Sequence, residues 1–182
     1  WYNDDPRDVA WSARPLLGHG KIVANNEGAW HGVTGPALET EAWANRETRS
    51  VWAAFMAGLH YALTEFPPEV GQERWLKVAR RFQVLRTIAE TMRFWELSPV
   101  DAAGRDYEVL VGHGPGTHWR VLGNPATEYL VYFWGPASRA DVAITLPEGD
   151  YECTWFDPRT GTELLPRATH RMGTFSRLDR KG

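Results

Sequence analysis

Lys21-Ile22-Val23-Ala24-Asn25-Asn26-Glu27-Gly28-Ala29-Trp30-His31-Gly32 decides how the first half of the chain is read. An apolar run bounded by Gly20 turns polar at its carboxyl end, which predicts a short buried strand over Lys21–Glu27. A loop rich in Gly, Trp and His continues to Pro36. Glu39 to Leu59 then carries Val51, Trp52, Phe55, Met56 and Leu59 at i, i+1, i+4, i+5 and i+8, one face of an amphipathic helix. Gly58 weakens that helix, and Leu59 to Phe66 predicts a second short strand ahead of the Pro67-Pro68 breaker. A long helix is expected from Gly71 to Arg93, with Trp75, Val78, Ala79, Phe82, Leu85, Ala89 and Met92 at three- and four-residue steps. Strand, helix, strand, helix is the alternation of a parallel sheet. Upstream, Pro6 to Leu17 reads as a helix and Gly18-His19-Gly20 as its breaker.

The period changes near residues 97–105, where Leu97-Ser98-Pro99-Val100-Asp101-Ala102-Ala103-Gly104 ends the helical pattern. Beyond it lie short β-rich runs: Tyr107–Val111, His118–Leu122, Glu128–Trp134, Asp141–Leu146, Tyr151–Phe156, Thr162–Leu165 and Thr169–Phe175. Their spacing of about ten residues predicts an antiparallel β-sandwich. Asp157-Pro158-Arg159-Thr160-Gly161 is a turn, because Pro presets φ and Gly accepts a positive φ. The expected class is α/β plus all-β, with residues 1–100 in the first domain and 101–182 in the second.

Composition narrows the function. At 182 residues, with 43% apolar and 24% charged side chains, the chain can bury a sizeable core. Twenty Lys and Arg against 23 Asp and Glu leave a net charge of −3, so no basic field exists to hold nucleic acid or an anionic membrane. A single cysteine, Cys153, excludes an internal disulfide framework and a multi-cysteine zinc site. No apolar run approaches the ~20 residues of a spanning helix. Ten tryptophans suit either an aromatic core, the default place for any one of them, or a surface that stacks on sugar rings. The opening Trp1, the early Asn3-Asp4-Asp5-Pro6 turn and the close on Arg180-Lys181-Gly182 suggest a fragment.

Catalytic side chains in parallel α/β folds gather at the carboxyl ends of strands. Glu27 lies at such an end, and within seven residues Asn25, Asn26, Trp30 and His31 add two amides, an indole and an imidazole. A carboxylate to attack an anomeric carbon, amides for hydroxyls and an aromatic face are what a sugar site needs. Glu27 could instead cap the next element, with Trp30 packed under the loop. Glu65, at the end of the next predicted strand, is either a second site carboxylate or a solvated loop acid. His19 falls at the opposite, stability end of its strand. His60, His113, His118 and His170 show no helical metal-ligand spacing, so no metal or other cofactor is expected. The segment Gly112-His113-Gly114-Pro115-Gly116 precedes no helix and makes no phosphate cradle. None of Ser12, Ser50, Ser98, Ser138 and Ser176 lies in a nucleophile elbow. Arg46 and Arg49 are expected on the outer surface of their helix.

The order strand-Glu27, Asn45 to Gly58 with its Arg49-x-x-Trp52-Ala53-x-x-x-Ala57-Gly58 helix, a long helix, Tyr129-Leu130-Val131-Tyr132-Phe133, and Tyr151 to Gly161 with its Trp155-Phe156-Asp157-Pro158-Arg159-Thr160-Gly161 hairpin resembles the apiosidase-like glycoside hydrolases. These are (β/α)8 TIM barrels followed by a β domain labelled collagen-binding, and the resemblance covers nearly the whole chain. It implies that residues 1–100 are the C-terminal portion of the barrel and that 101–182 are the β-sandwich. It makes Glu27 the nucleophile at the end of the seventh strand and Leu59–Phe66 the eighth, and it puts the acid/base upstream of Trp1. The expected activity is retaining hydrolysis of polysaccharide side chains, with Asn26, Trp30, His31 and Glu65 binding substrate, in an extracytoplasmic setting. The alternative is a non-catalytic module that binds carbohydrate or collagen.

Overall fold

The computed structural model describes residues 24–28, 40–63, 74–100, 111–113, 118–124, 127–135, 141–143 and 146–172. They show mixed α and β structure in two compact units. One unit runs to Arg93 and includes the turn Asp157–Thr162; the other holds Phe94–Phe156 and the chain from Glu163. The predicted Pro6–Leu17 helix lies outside the described residues.

In the first unit, strand β1 (Ala24–Gly28) pairs in parallel with β2 (His60–Leu63). Helix α1 (Glu41–Met56) connects them, and α2 (Arg74–Glu90) follows. Thr40 caps α1 from an extended backbone (φ −72°, ψ 146°), its Oγ1 accepting from Trp43 N at 3.2 Å. At the other end Gly58 adopts φ +74°; Leu59 N donates to Ala54 O (2.9 Å) and Gly58 N to Phe55 O (2.9 Å). That pair of bonds is a Schellman cap, and it stops the helix three residues before the predicted Leu59.

Ten of the sixteen residues of α1 are buried. Trp43 and Ala44 meet Val78 and Phe82 of α2, whereas Val51, Trp52 and Met56 of the expected apolar face are also buried. Polar groups reinforce the same helix pair. Arg81 Nη1 donates to Asn45 Oδ1 (2.8 Å) and Thr48 Oγ1 (3.2 Å), Arg81 Nη2 pairs with Glu41, and Lys77 Nζ sits 3.1 Å from the other Glu41 oxygen. Trp52 Nε1 donates to Pro158 O of the 157–162 turn at 3.3 Å.

The second unit is antiparallel. A 3-10 turn at Phe94–Glu96 leads into β3 (Ser98–Pro99), which joins β5 (His118–Asn124) and β6 (Glu128–Trp134) in the order β3-β5-β6. Strands β4 (Val111–His113) and β7 (Asp141–Ala143) pair with each other, as do β8 (Gly149–Phe156) and β9 (Glu163–Met172). Strand alternation sends Trp119, Val121, Tyr129, Val131 and Phe133 to one cluster with Val100, Leu146 and, from β8, Tyr151, Cys153 and Trp155. Phe133 stacks on Trp155 at 6.1 Å and Tyr129 meets Tyr151 edge-on at 6.0 Å. Leu122, Leu130 and Tyr132 of the alternate positions are buried too.

The runs Thr162–Leu165 and Thr169–Phe175, read as two strands, are joined through one strand, β9. Pro166 looks like a breaker in sequence. In the structure the register slips there, two β9 residues opposing Thr154 alone between Cys153↔Ala168 and Trp155↔Leu165, so the missing N–H breaks no regular ladder.

Candidate functional site

Asn25 pairs with Tyr61 and Gly28 with Leu63, so two residues of β1, Asn26 and Glu27, oppose the single residue Ala62 of β2. This register shift is a bulge, a device that re-aims side chains and gathers near active sites, and one that is rare in parallel pairs. It falls on Asn26 and Glu27, two of the five residues for which the sequence suggests a functional role.

Parallel pairing also means that β1 and β2 end at the same edge, with Gly28 beside Leu63. Trp30, His31 and Glu65 lie outside the described residues. Among the candidates, the structure places Asn26 and Glu27, adjacent at the carboxyl end of β1.

Beneath this edge the packing is well defined. Tyr61 Oη donates to Glu47 Oε2 at 3.4 Å, and the Tyr61 ring meets Phe82 edge-on at 6.0 Å. Glu47 is fully buried on α1. Arg46, expected on the outer surface, is half-buried, and burial lowers the pKa of its guanidinium while the nearby Glu47 and Tyr61 oppose that shift. Arg49 is exposed, as expected. Glu47 was not singled out from sequence, although a signal existed: Trp43, Glu47 and Val51 are spaced i, i+4, i+8 on one stripe, which puts a carboxylate among core positions.

The other ionisable groups make structure. Asp157 accepts from Arg159 N (2.8 Å) and pairs with the Arg159 guanidinium (2.6 Å), which holds its carboxyl below the ordinary carboxylate range. Burial raises the Cys153 thiol, the opposite of what a reactive thiolate needs. Among the described residues no group of three or more His, Cys, Asp or Glu could hold a metal ion, and no helix is long and apolar enough to cross a membrane. No protein-family model, no curated protein and no solved structure matches the chain.

Proposed function

We propose that these residues belong to a retaining glycoside hydrolase of the apiosidase-like kind, with β1 and β2 as the seventh and eighth strands of a (β/α)8 barrel and the second unit as a β-sandwich. The observation that carries this reading is the bulge at Asn26–Glu27 on the carboxyl end of a parallel strand, where such barrels keep their chemistry. The β-α-β order of β1, α1 and β2 supports the barrel assignment, and the aromatic contacts from β6 to β8 support the sandwich.

In this mechanism Glu27 is the nucleophile. Its ionised carboxylate attacks the anomeric carbon as the glycosidic C–O bond breaks, and an acid/base carboxyl gives its proton to the leaving oxygen. The same acid/base then deprotonates the water that hydrolyses the glycosyl ester and returns Glu27 to its carboxylate. The two carboxyl groups need a separation of about 5–5.5 Å. The family pattern puts the acid/base on the fourth strand, elsewhere in the complete protein. Asn26 binds a ring hydroxyl, Trp30 stacks on the ring, and His31 and Glu65 contribute to substrate binding.

Replacing Glu27 by Gln keeps the shape and removes the nucleophile. In the complete protein Glu27→Gln lowers kcat on an activated aryl glycoside by roughly 10³-fold or more, and Trp30→Ala acts mainly on KM. A Glu27→Gln variant with wild-type kcat sinks the assignment and leaves the non-catalytic carbohydrate- or collagen-binding module in its place.

A further inference from the structure

The turn Asp157–Thr162 belongs to the first unit, although the strands on either side of it belong to the second. Two contacts hold it there, one on each helix. Trp52 of α1, 1% exposed, donates its indole N–H to Pro158 O at 3.3 Å, across 106 residues of sequence. On α2, Val84 lies against Gly161, where a Cβ would stand 3.4 Å from Val84 Cγ1. Charges alternate around the same place. Glu41 pairs with Arg81 on the helices and Asp157 with Arg159 in the turn, while across the two pairs Arg81 attracts Asp157 and Glu41 attracts Arg159.

The turn has a framework of its own. Thr160 N and Gly161 N both donate to Asp157 O (3.2 and 2.7 Å), Asp157 N donates to Thr162 O (2.9 Å), and Arg159 N donates to Asp157 Oδ1 (2.8 Å). These bonds set the direction in which the Pro158 carbonyl points. Arg159, Thr160, Gly161 and Thr162 are nonetheless exposed, so docking buries little of the turn. A segment with exposed backbone and little buried area opens at a lower free energy than the packed helices beneath it.

We propose that this turn is a strap: closed, it ties α1 to α2 through Trp52 and Val84, and it opens as a unit while the helix pair stays folded. Acid favours the open form. The Asp157 carboxyl is held below its ordinary range chiefly by the hydrogen bond from the Arg159 side chain, with burial opposing and the charge of Arg81 adding to the effect. Opening frees Asp157 from both partners, so the open turn binds a proton more tightly than the closed one. The strap is therefore held above the ordinary carboxylate value near pH 4 and is released as pH falls through the lower value of the closed turn. Glu41 of α1, which faces Arg159, is itself held low by Lys77 and Arg81 and loses its charge in the same direction.

The test is hydrogen exchange at the Trp52 indole of the 182-residue chain, followed by NMR, with the resonance assigned by its loss in Trp52→Phe. At about pH 6 the indole proton is protected relative to free tryptophan but less than the Val51 and Ala53 amides of α1. Asp157→Asn lowers the indole protection by about 5- to 10-fold and leaves those amides unchanged. Gly161→Ala, which forces a side chain into φ +73°, lowers it by about 10-fold. Between about pH 5 and pH 3 the wild-type indole loses protection and that of Asp157→Asn loses less. Arg86→Ala, which removes the exposed Arg86–Glu90 pair of α2, changes neither indole nor amides. An indole that exchanges as in free tryptophan near pH 6 overturns the proposal. So does equal protection in wild type and Asp157→Asn, or a loss of protection that comes only in step with the α1 amides, which would make the turn a fixed part of the helix pair.

Discussion

Glu47 and Arg81 sit where hydrophobic spacing calls for apolar side chains, and both are almost fully buried. Arg81 is tolerated there because Glu41, Asn45 and Thr48 take up its donors. Arg81→Ala takes a donor from buried Thr48 and half-buried Asn45, leaves Glu41 to Lys77 and solvent, and should cost about 2–3 kcal/mol, measured by denaturant unfolding. Gly58 is a backbone requirement: at φ +74° a Cβ is strained, so Gly58→Ala should destabilise by about 1–2 kcal/mol. Asp157 predicts a pH dependence. Its carboxyl is held below the ordinary value chiefly by the hydrogen bond from Arg159. The stabilisation is therefore complete above the unfolded value near pH 4 and is lost as pH falls through the lower folded value. Asp157→Asn should flatten this acid limb in a series of thermal melts below about pH 4; an unchanged limb would place the pH sensitivity elsewhere.

At the scale of elements, the helices and most strands were legible in the sequence because each has a strong period. Glu128–Trp134 is a strand over its predicted range, its buried Leu130 and Tyr132 alternating with half-buried Tyr129, Val131 and Phe133. Helix α1 ends where Gly58 signals, although apolar spacing continues to Leu59. The bulge was not legible. In Ala24-Asn25-Asn26-Glu27-Gly28 no alternation of apolar and polar residues exists to register a one-residue slip, so the pairing had to come from β2. Sequence therefore located the Asn26–Glu27 pair without its backbone geometry. The Glu47–Tyr61 contact was hidden for a different reason, because its partners lie on separate elements with no shared period. The turn at 157–162 shows local and tertiary chemistry agreeing: Gly161 takes φ +73°, and the Pro158 carbonyl accepts from Trp52. Trp52→Phe removes that donor and part of a fully buried ring and should cost about 2–3 kcal/mol in equilibrium unfolding; an unchanged midpoint would contradict the buried position of Trp52.

For the whole molecule, the described residues of the first unit hold one pair of parallel strands and two helices, and two strands of a barrel do not satisfy their own sheet edges. If β1 and β2 are the seventh and eighth strands, the 182-residue chain should associate through them, and its unfolding midpoint should rise with protein concentration. A sharp, concentration-independent transition of a monomer would count against the barrel assignment. The proposed assignment of Glu27 as nucleophile is tested most directly in the complete protein, by a screen for aryl-glycoside turnover, incubation with the 2-deoxy-2-fluoro analogue of any substrate found, and mass mapping of the trapped ester. The account predicts one covalent label, on the Glu27 carboxylate between Asn26 and Gly28. A label on any other carboxylate, or none from a protein that turns over the matching aryl glycoside, would contradict it.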